Sequence, residues 1–206
     1  MFRVPPLIIA LVLTYYWARV LRLAWKVRRL TGGSSSMLPA EKLGKILRVI
    51  WYPAVLVWAV HPYVTAFVAN PPALVRPLWS NVVISWAAAA TAVAALAATT
   101  VCWKRMGKSW RMGINPEEKT QLVVSGPYAY VRHPIYALSS ILMLATMLAM
   151  LSPLMLAAGI VHLVLLQWEA RREEKHLAAQ HGQCYIDYCR AVGRFIPRSL
   201  KPYTPA

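Results

Sequence analysis

The chain has 206 residues, of which 58% are hydrophobic and only 15% are charged, and its formal net charge is +16. The hydrophobic residues occur in long runs, which excludes an ordinary soluble domain and points to a lipid environment. A basic chain can bind nucleic acid, but that function needs a basic face on a soluble fold. We therefore attribute the charge to cytoplasmic loops and anionic headgroups, and expect no nucleic-acid partner.

Five hydrophobic segments approach the length of about 20 residues that a transmembrane helix needs. No alternation typical of barrel strands is present, so we predict an all-α polytopic bundle of about five transmembrane helices with a cytoplasmic helical C-terminal segment. The predicted spans are residues 5–25, 46–68, 78–103, 135–151 and 153–168. We expect the last span to continue as a helix beyond the membrane.

The basic residues predict an orientation for these spans. Of the 23 Lys and Arg residues, only Arg3 and Arg76 fall on one side, and all seven acidic residues lie on the other. The positive-inside rule then puts the N-terminus outside and the active site towards the cytoplasm. We expect one integral membrane domain over residues 1–206, with its chemistry near residues 104–134 and 169–198.

A polar segment with turn-forming residues lies between the third and fourth predicted spans. Gly126-Pro127 predicts a turn, and Pro134 suits the first turn of the next helix because its missing N–H costs nothing there. Arg132 and His133 then stand at a helix N-terminus, where free backbone N–H groups favour an anionic ligand group. Without further evidence, the same residues also suit an interfacial belt with no chemical role.

A second polar segment continues from the fifth predicted span. Glu169, Glu173 and Leu177 share one helical face, which on its own suits a solvated helix with ordinary ion pairs. His162 lies inside the span, where we expect it to form hydrogen bonds between helices. The histidines form no HExxH or similar set, so we predict no metal site.

Together these motifs resemble the isoprenylcysteine carboxyl methyltransferase family and the related phospholipid methyltransferases. The resemblance covers about residues 104–198 and is most specific where RHPxY is followed, across a hydrophobic hairpin, by EExxL. The motifs that carry it are Gly126-Pro127-Tyr128, Arg132-His133-Pro134-Ile135-Tyr136, Glu173-Glu174 with Leu177, and Tyr185-Ile186-Asp187-Tyr188 with Gly193-Arg194-Phe195-Ile196-Pro197.

The resemblance implies S-adenosyl-L-methionine as the methyl donor, bound without a Rossmann domain between the last hairpin and the C-terminal segment. It implies that His133 and nearby amides hold the donor's carboxylate, Glu173 or Glu174 faces its ammonium, and tyrosine faces accommodate its sulfonium. The cofactor-binding residues carried over are Gly126, Tyr128, Tyr130, Val131, Arg132, His133, Pro134, Tyr136, Glu173 and Glu174.

The acceptor that the resemblance implies is a membrane lipid or lipidated molecule. The preferred hypothesis is carboxyl O-methylation of an isoprenylcysteine-like substrate, in which Arg194 clamps the carboxylate as in the family. The alternative is N-methylation of a phospholipid amine such as phosphatidylethanolamine, which needs a base; Asp187 or a glutamate is the candidate. A hypothesis of another class is a non-enzymatic membrane scaffold or transporter that binds anionic lipid.

Overall fold

A computed structural model of the chain describes residues 3–30, 42–110, 114 and 121–205. It contains the α-helices α1 (Val4–Leu30), α2 (Lys42–Phe67), α3 (Val82–Met106), α4 (Pro134–Met150), α5 (Pro153–His181) and α6 (Gln183–Ala191). No strand occurs in the described part of the chain, and the predicted all-α bundle is confirmed. Of the segment predicted to carry chemistry, residues 111–113 and 115–120 lie outside the described residues, as do Glu41, Glu117 and Glu118.

Helices α1, α2, α3 and α5 are long and apolar enough to cross a membrane. Helix α4 is also apolar but has only 17 residues. At about 1.5 Å per residue it extends roughly 26 Å, slightly less than the hydrocarbon core of about 30 Å. The described part of the chain is therefore a polytopic helical bundle, as the hydropathy predicts.

Two helix boundaries differ from the predicted spans for reasons that lie in polar side chains. Helix α3 begins at Val82 and not at residue 78, because the side chain of Asn81 accepts a hydrogen bond from the Ile84 N–H at 3.0 Å and caps the helix. Helix α5 runs 29 residues to His181, where Gly182 ends it with φ 58°. The predicted continuation of this helix beyond its apolar segment is confirmed.

Helix α2 packs against α5, α3 packs against α4, and α1 contacts both α2 and α3. A buried polar contact joins three of these helices at His162 of α5. Trp51 Nε1 donates to His162 Nδ1 at 3.1 Å, so Nε2 carries the proton and donates to Ser139 Oγ at 3.1 Å. The hydrogen bonds predicted for His162 are therefore present, and they fix α2, α4 and α5 relative to one another.

The chain after α6 returns to the loop that precedes α4. Val131 and Gly193 form an isolated parallel bridge. The Arg132 N–H donates to the Gly193 carbonyl at 2.8 Å, and the His133 N–H donates to the Arg194 carbonyl at 3.0 Å. These contacts bring the two polar motifs of the sequence together at one end of the bundle.

We expect Gly193→Ala to destabilise this junction. A Cβ atom at Gly193 would stand 1.9 Å from the backbone oxygen of Ile196, and backbone cannot rotate away as a side chain can. Overpacking of this kind typically costs about 1–3 kcal/mol. The measurement is the thermal melting temperature in nanodiscs. Gly182→Ala is the comparison, because it adds the strain of a positive φ at a position where no atom stands near the new Cβ. A larger fall in melting temperature for Gly182→Ala than for Gly193→Ala would contradict the predicted clash with Ile196.

Candidate active site

A cavity of about 210 Å³ lies where the loop before α4 and the C-terminal segment meet the helices. Its lining combines residues of α1 to α6 with residues of the loops on either side of Gly126–Ala129. Six residues predicted from the sequence line it: Tyr128, Arg132, His133, Pro134, Tyr136 and Glu173. The structure thus assembles half of the predicted site residues around one space, and it brings Glu173 to the five that lie within residues 128–136.

Glu174 lies at the centre of an ion-pair network just behind this lining. Arg132 donates from Nε at 3.0 Å and from Nη2 at 2.8 Å to Glu174 Oε1. Arg194 forms a two-pronged pair with the same carboxylate, Nε to Oε1 at 2.8 Å and Nη2 to Oε2 at 2.6 Å. Only 13% of the Glu174 side chain is exposed, so this carboxylate is committed to two guanidinium groups.

Arg132 also holds the end of α6 against α5. Its Nη1 donates to the Cys189 carbonyl at 3.0 Å and to the Val192 carbonyl. Because the backbone N–H groups of Arg132 and His133 already donate to the C-terminal segment, they are not free for an anionic ligand. Arg132 and Arg194 therefore mainly hold the C-terminal segment against α5, and they contribute less directly to the cavity.

Of the two adjacent glutamates, Glu173 is the one that lines the cavity. Tyr136 Oη donates a hydrogen bond to Glu173 Oε1, and His133 Nδ1 lies 3.5 Å from Glu173 Oε2. The rings of His133 and Tyr136 are stacked, with centroids 5.4 Å apart and an interplanar angle of 4°. These three side chains form a compact polar wall with a negative charge at its edge.

His133 is 93% buried, and its surroundings favour the charged imidazole. Burial lowers the pKa of His133, but Glu173 and Glu174 raise it by more, so the pKa lies above its usual 6.5. Nε2 lies 3.4 Å from Glu174 Oε1 without being aligned for a hydrogen bond, and has no hydrogen-bond partner among the described residues. A buried donor of this kind can still donate a hydrogen bond to a ligand oxygen.

The raised pKa of His133 predicts a pH-dependent stability. The charged imidazole stabilises the folded state fully below the usual pKa of 6.5, and this stability is lost as the pH rises through the raised pKa. We expect the melting temperature of the natural protein to exceed that of His133→Gln most at about pH 6, and the difference to shrink towards about pH 9. A melting-temperature difference that grows with pH would contradict the raised pKa of His133. His181→Gln, at the end of α5, controls for general effects.

The remaining predicted residues stand outside the cavity lining. Gly126 has φ +64° and begins the short helix Gly126–Ala129. Tyr130 is 36% exposed, and Val131 forms the bridge to Gly193. Asp187 is half exposed on α6, where it pairs with Arg190 at 3.2 Å. Its carboxylate does not face the cavity.

The N-terminal helices contribute a second wall that the sequence interpretation missed. The cavity-lining residues on this wall include Tyr16, Trp17, Arg48, Trp51 and Trp103. Arg48 is a charged residue inside the span predicted over residues 46–68, and its side chain is buried, with only 6% of the residue exposed. A charge within a span is by default a sign of function, and that signal could have identified this wall.

The fold and the cavity define a polytopic membrane protein with a polar site at one end of its bundle. Residues 87–179 match the isoprenylcysteine carboxyl methyltransferase (ICMT) family, so the resemblance predicted from the motifs is confirmed. This match supports a membrane methyltransferase. The matched segment contains α4 and most of α3 and α5, and therefore both polar motifs on either side of the hairpin.

A curated relative is more distant. Over 126 residues the chain is 29% identical to the nickel-cobalt-cadmium resistance protein NccN of Alcaligenes xylosoxydans xylosoxydans, a match that covers 55% of this chain and 53% of that protein. The chain thus spans about half the length of the curated relative.

Proposed function

We propose that the protein transfers a methyl group from S-adenosyl-L-methionine to the carboxylate of a lipidic, isoprenylcysteine-like acceptor. The observation that carries the proposal is the cavity shared by His133, Tyr136 and Glu173, which all belong to the segment that matches the methyltransferase family. In this proposal residues 1–206 form one membrane domain, with the donor-binding part at about 104–198, the N-terminus outside and the site facing the cytoplasm.

The available side chains fit the polar groups of the donor. Nε2 of buried His133, which has no aligned hydrogen bond among the described residues, is a donor for a carboxylate, and Glu173 is an acceptor for an ammonium. The rings of Tyr128 and Tyr136 line the same space and suit a sulfonium, whose charge an aromatic face attracts. Glu174 is already engaged by Arg132 and Arg194, so we assign the ammonium to Glu173.

We assign Gly126, Tyr130 and Val131 to shaping the loop around the donor, and Pro134 to starting α4 beside it. Arg194 is 30% exposed on its side chain and pairs with Glu174 through two nitrogens. We therefore propose that Arg194 positions the C-terminal segment instead of clamping the acceptor.

A carboxylate acceptor requires no general base. When bound, the donor supplies an electrophilic methyl carbon: a carboxylate lone pair forms the C–O bond while the C–S bond breaks and its electrons remain on sulfur. The protein's part is to align the two groups and exclude water. An amine acceptor would have to release a proton to a base, for which Asp187 and the glutamates are the candidates. Asp187 is half exposed and paired with Arg190, Glu169 is paired with Arg172, and Glu173 is assigned to the donor's ammonium. This arrangement favours O-methylation over N-methylation.

The test is transfer of a labelled methyl group from the donor to lipids extracted from membranes that contain the protein. We expect label in an acceptor from which mild base releases it, as it does from an ester, and little label with Glu173→Gln. Base-stable label in phosphatidylethanolamine derivatives would replace the proposal with N-methylation. Absence of label in every lipid fraction would leave a non-enzymatic membrane role as the better account.

A further inference from the structure

The wall formed by the N-terminal helices carries three buried hydrogen-bond donors on residues that line the cavity. Arg48 Nε, Trp17 Nε1 and Trp103 Nε1 are buried, and none has a hydrogen-bond partner among the described residues. All three residues line the cavity. Arginine and tryptophan side chains can only donate, so their partner must carry acceptor oxygens. Buried donors are rarely left without a partner, and a ligand with acceptor oxygens in the cavity would supply one to each of the three.

Aromatic contacts make these donors parts of one surface. The ring of Tyr16 lies between the two indoles, with centroids 5.2 Å from Trp17 and 5.3 Å from Trp103. Trp17 contacts Trp51 at 5.6 Å, and the guanidinium carbon of Arg48 stands 4.8 Å from the centre of the Trp51 ring. Aromatic rings held by their neighbours lose little freedom on binding, and they orient the donors before a ligand arrives.

The charge of Arg48 is only weakly compensated. Its Nη2 lies 3.8 Å from Glu169 Oε1, whereas Arg172 Nη1 contacts Glu169 Oε2 at 2.9 Å. Two guanidinium groups thus share one carboxylate, and the pair to Arg48 is the longer. The result is an excess positive charge on a buried side chain of the cavity wall, which favours an anionic ligand group.

Arg48 of α2 lies at a different level of the bundle from the residues proposed to hold the donor, and its partner on α5 shows this. Its partner Glu169 precedes Glu173 by one helical turn, about 6 Å along the axis, on the side of the apolar half of α5. The helix therefore brings Arg48 deeper into the bundle than Glu173. A head group bound at Arg48 would therefore lie on the bilayer side of the residues proposed to hold the donor.

We propose that Arg48, with the indoles of Trp17 and Trp103, binds the oxygen-rich anionic head group of the acceptor and selects it over uncharged analogues. This inference rests on the proposed function and adds specificity-determining residues to it. Trp17, Arg48 and Trp51 precede residues 87–179, so most of this subsite lies outside the segment that matches the family. The N-terminal helices then determine which acceptor the shared donor site serves.

The test compares two probes on the full-length protein in nanodiscs: an S-prenylated N-acetylcysteine with a free carboxylate, and its methyl ester. Saturating S-adenosylhomocysteine prevents turnover. We expect the natural protein to bind the acid at least about tenfold more tightly than the ester. Arg48→Gln should reduce this preference to less than about threefold. Arg48→Lys should keep part of the preference, because lysine retains the positive charge but lacks the planar guanidinium that can bind both carboxylate oxygens.

Lys45→Gln is the matched control. It removes an exposed cation of the same helix, α2, at a position that does not line the cavity, and should keep the full preference. Retention of the preference by Arg48→Gln, or equal binding of acid and ester by the natural protein, would overturn the inference.

Binding of S-adenosylhomocysteine separates the possible failures. Unchanged affinity in Arg48→Gln shows a folded donor site and assigns the lost preference to the acceptor. A selective loss of S-adenosylhomocysteine binding in a folded Arg48→Gln would mean that Arg48 holds the donor's carboxylate, against the inference. No binding by the natural protein would refute the proposed function itself. If Arg48→Gln does not fold, Trp103→Phe is the second variant. It keeps an aromatic ring but removes the indole N–H, and it must lower the preference for the acid over the ester.

Discussion

Glu173→Gln is expected to weaken binding of S-adenosylmethionine by about tenfold to a hundredfold while leaving the fold intact. The substitution removes the charge proposed to face the donor's ammonium, and hydrogen bonds to charged groups contribute about 1.5–3 kcal/mol. The amide oxygen of glutamine can still accept the hydrogen bond from Tyr136, so the local packing is retained. The measurement is the dissociation constant in nanodiscs, together with the melting temperature.

Lys175→Gln provides the control for Glu173→Gln. Lys175 is the second residue after Glu173 on α5, is exposed, and does not line the cavity. Removing its charge should change neither the dissociation constant nor the melting temperature by a measurable amount. If Glu173→Gln bound the donor as well as the natural protein, the ammonium would have to be assigned elsewhere, and Glu174 would be the next candidate.

Glu174→Gln is expected to act mainly on stability. It leaves the guanidinium groups of Arg132 and Arg194 beside a neutral amide at a site that is largely buried. Removing one partner of a buried ion pair costs about 3–5 kcal/mol, and the low end applies because Arg194 is partly exposed. The melting temperature should fall, and limited proteolysis should cut the segment after α6 more rapidly.

The control for Glu174→Gln is Arg190→Gln, which breaks the exposed pair with Asp187. The two side chains of that pair are 74% and 51% exposed, so it should contribute little. Equal melting temperatures for Glu174→Gln and Arg190→Gln would contradict the structural role of the buried network. A large loss of donor affinity without loss of stability would instead return Glu174 to the donor site.

The bundle could be predicted from the sequence because apolar length and the location of charge determine where helices cross lipid. The errors lie where polar side chains decide the boundary. Residues 78–81 are partly apolar, but the Asn81 cap begins α3 only at Val82. Hydropathy ends the last span near residue 168, whereas the good helix formers that follow carry α5 on to His181.

The site could be predicted in part, and the limit has a physical cause. The RHPxY and EExxL motifs are compact in sequence, so they identify Tyr136 and Glu173 directly. The division of labour between adjacent Glu173 and Glu174 depends on which side of α5 each occupies, and spacing alone cannot tell which one Arg194 binds. The wall around Arg48 comes from three helices and has no local motif.

The central claim is that the cavity beside Glu173 and His133 binds a methyl donor. The most direct test is calorimetric titration of the full-length protein in nanodiscs with S-adenosylmethionine and, separately, with S-adenosylhomocysteine. The account predicts saturable binding of one molecule per chain, weakened by Glu173→Gln and unaffected by Lys175→Gln. Absence of binding by folded protein for both ligands, at concentrations up to the millimolar range, would contradict it.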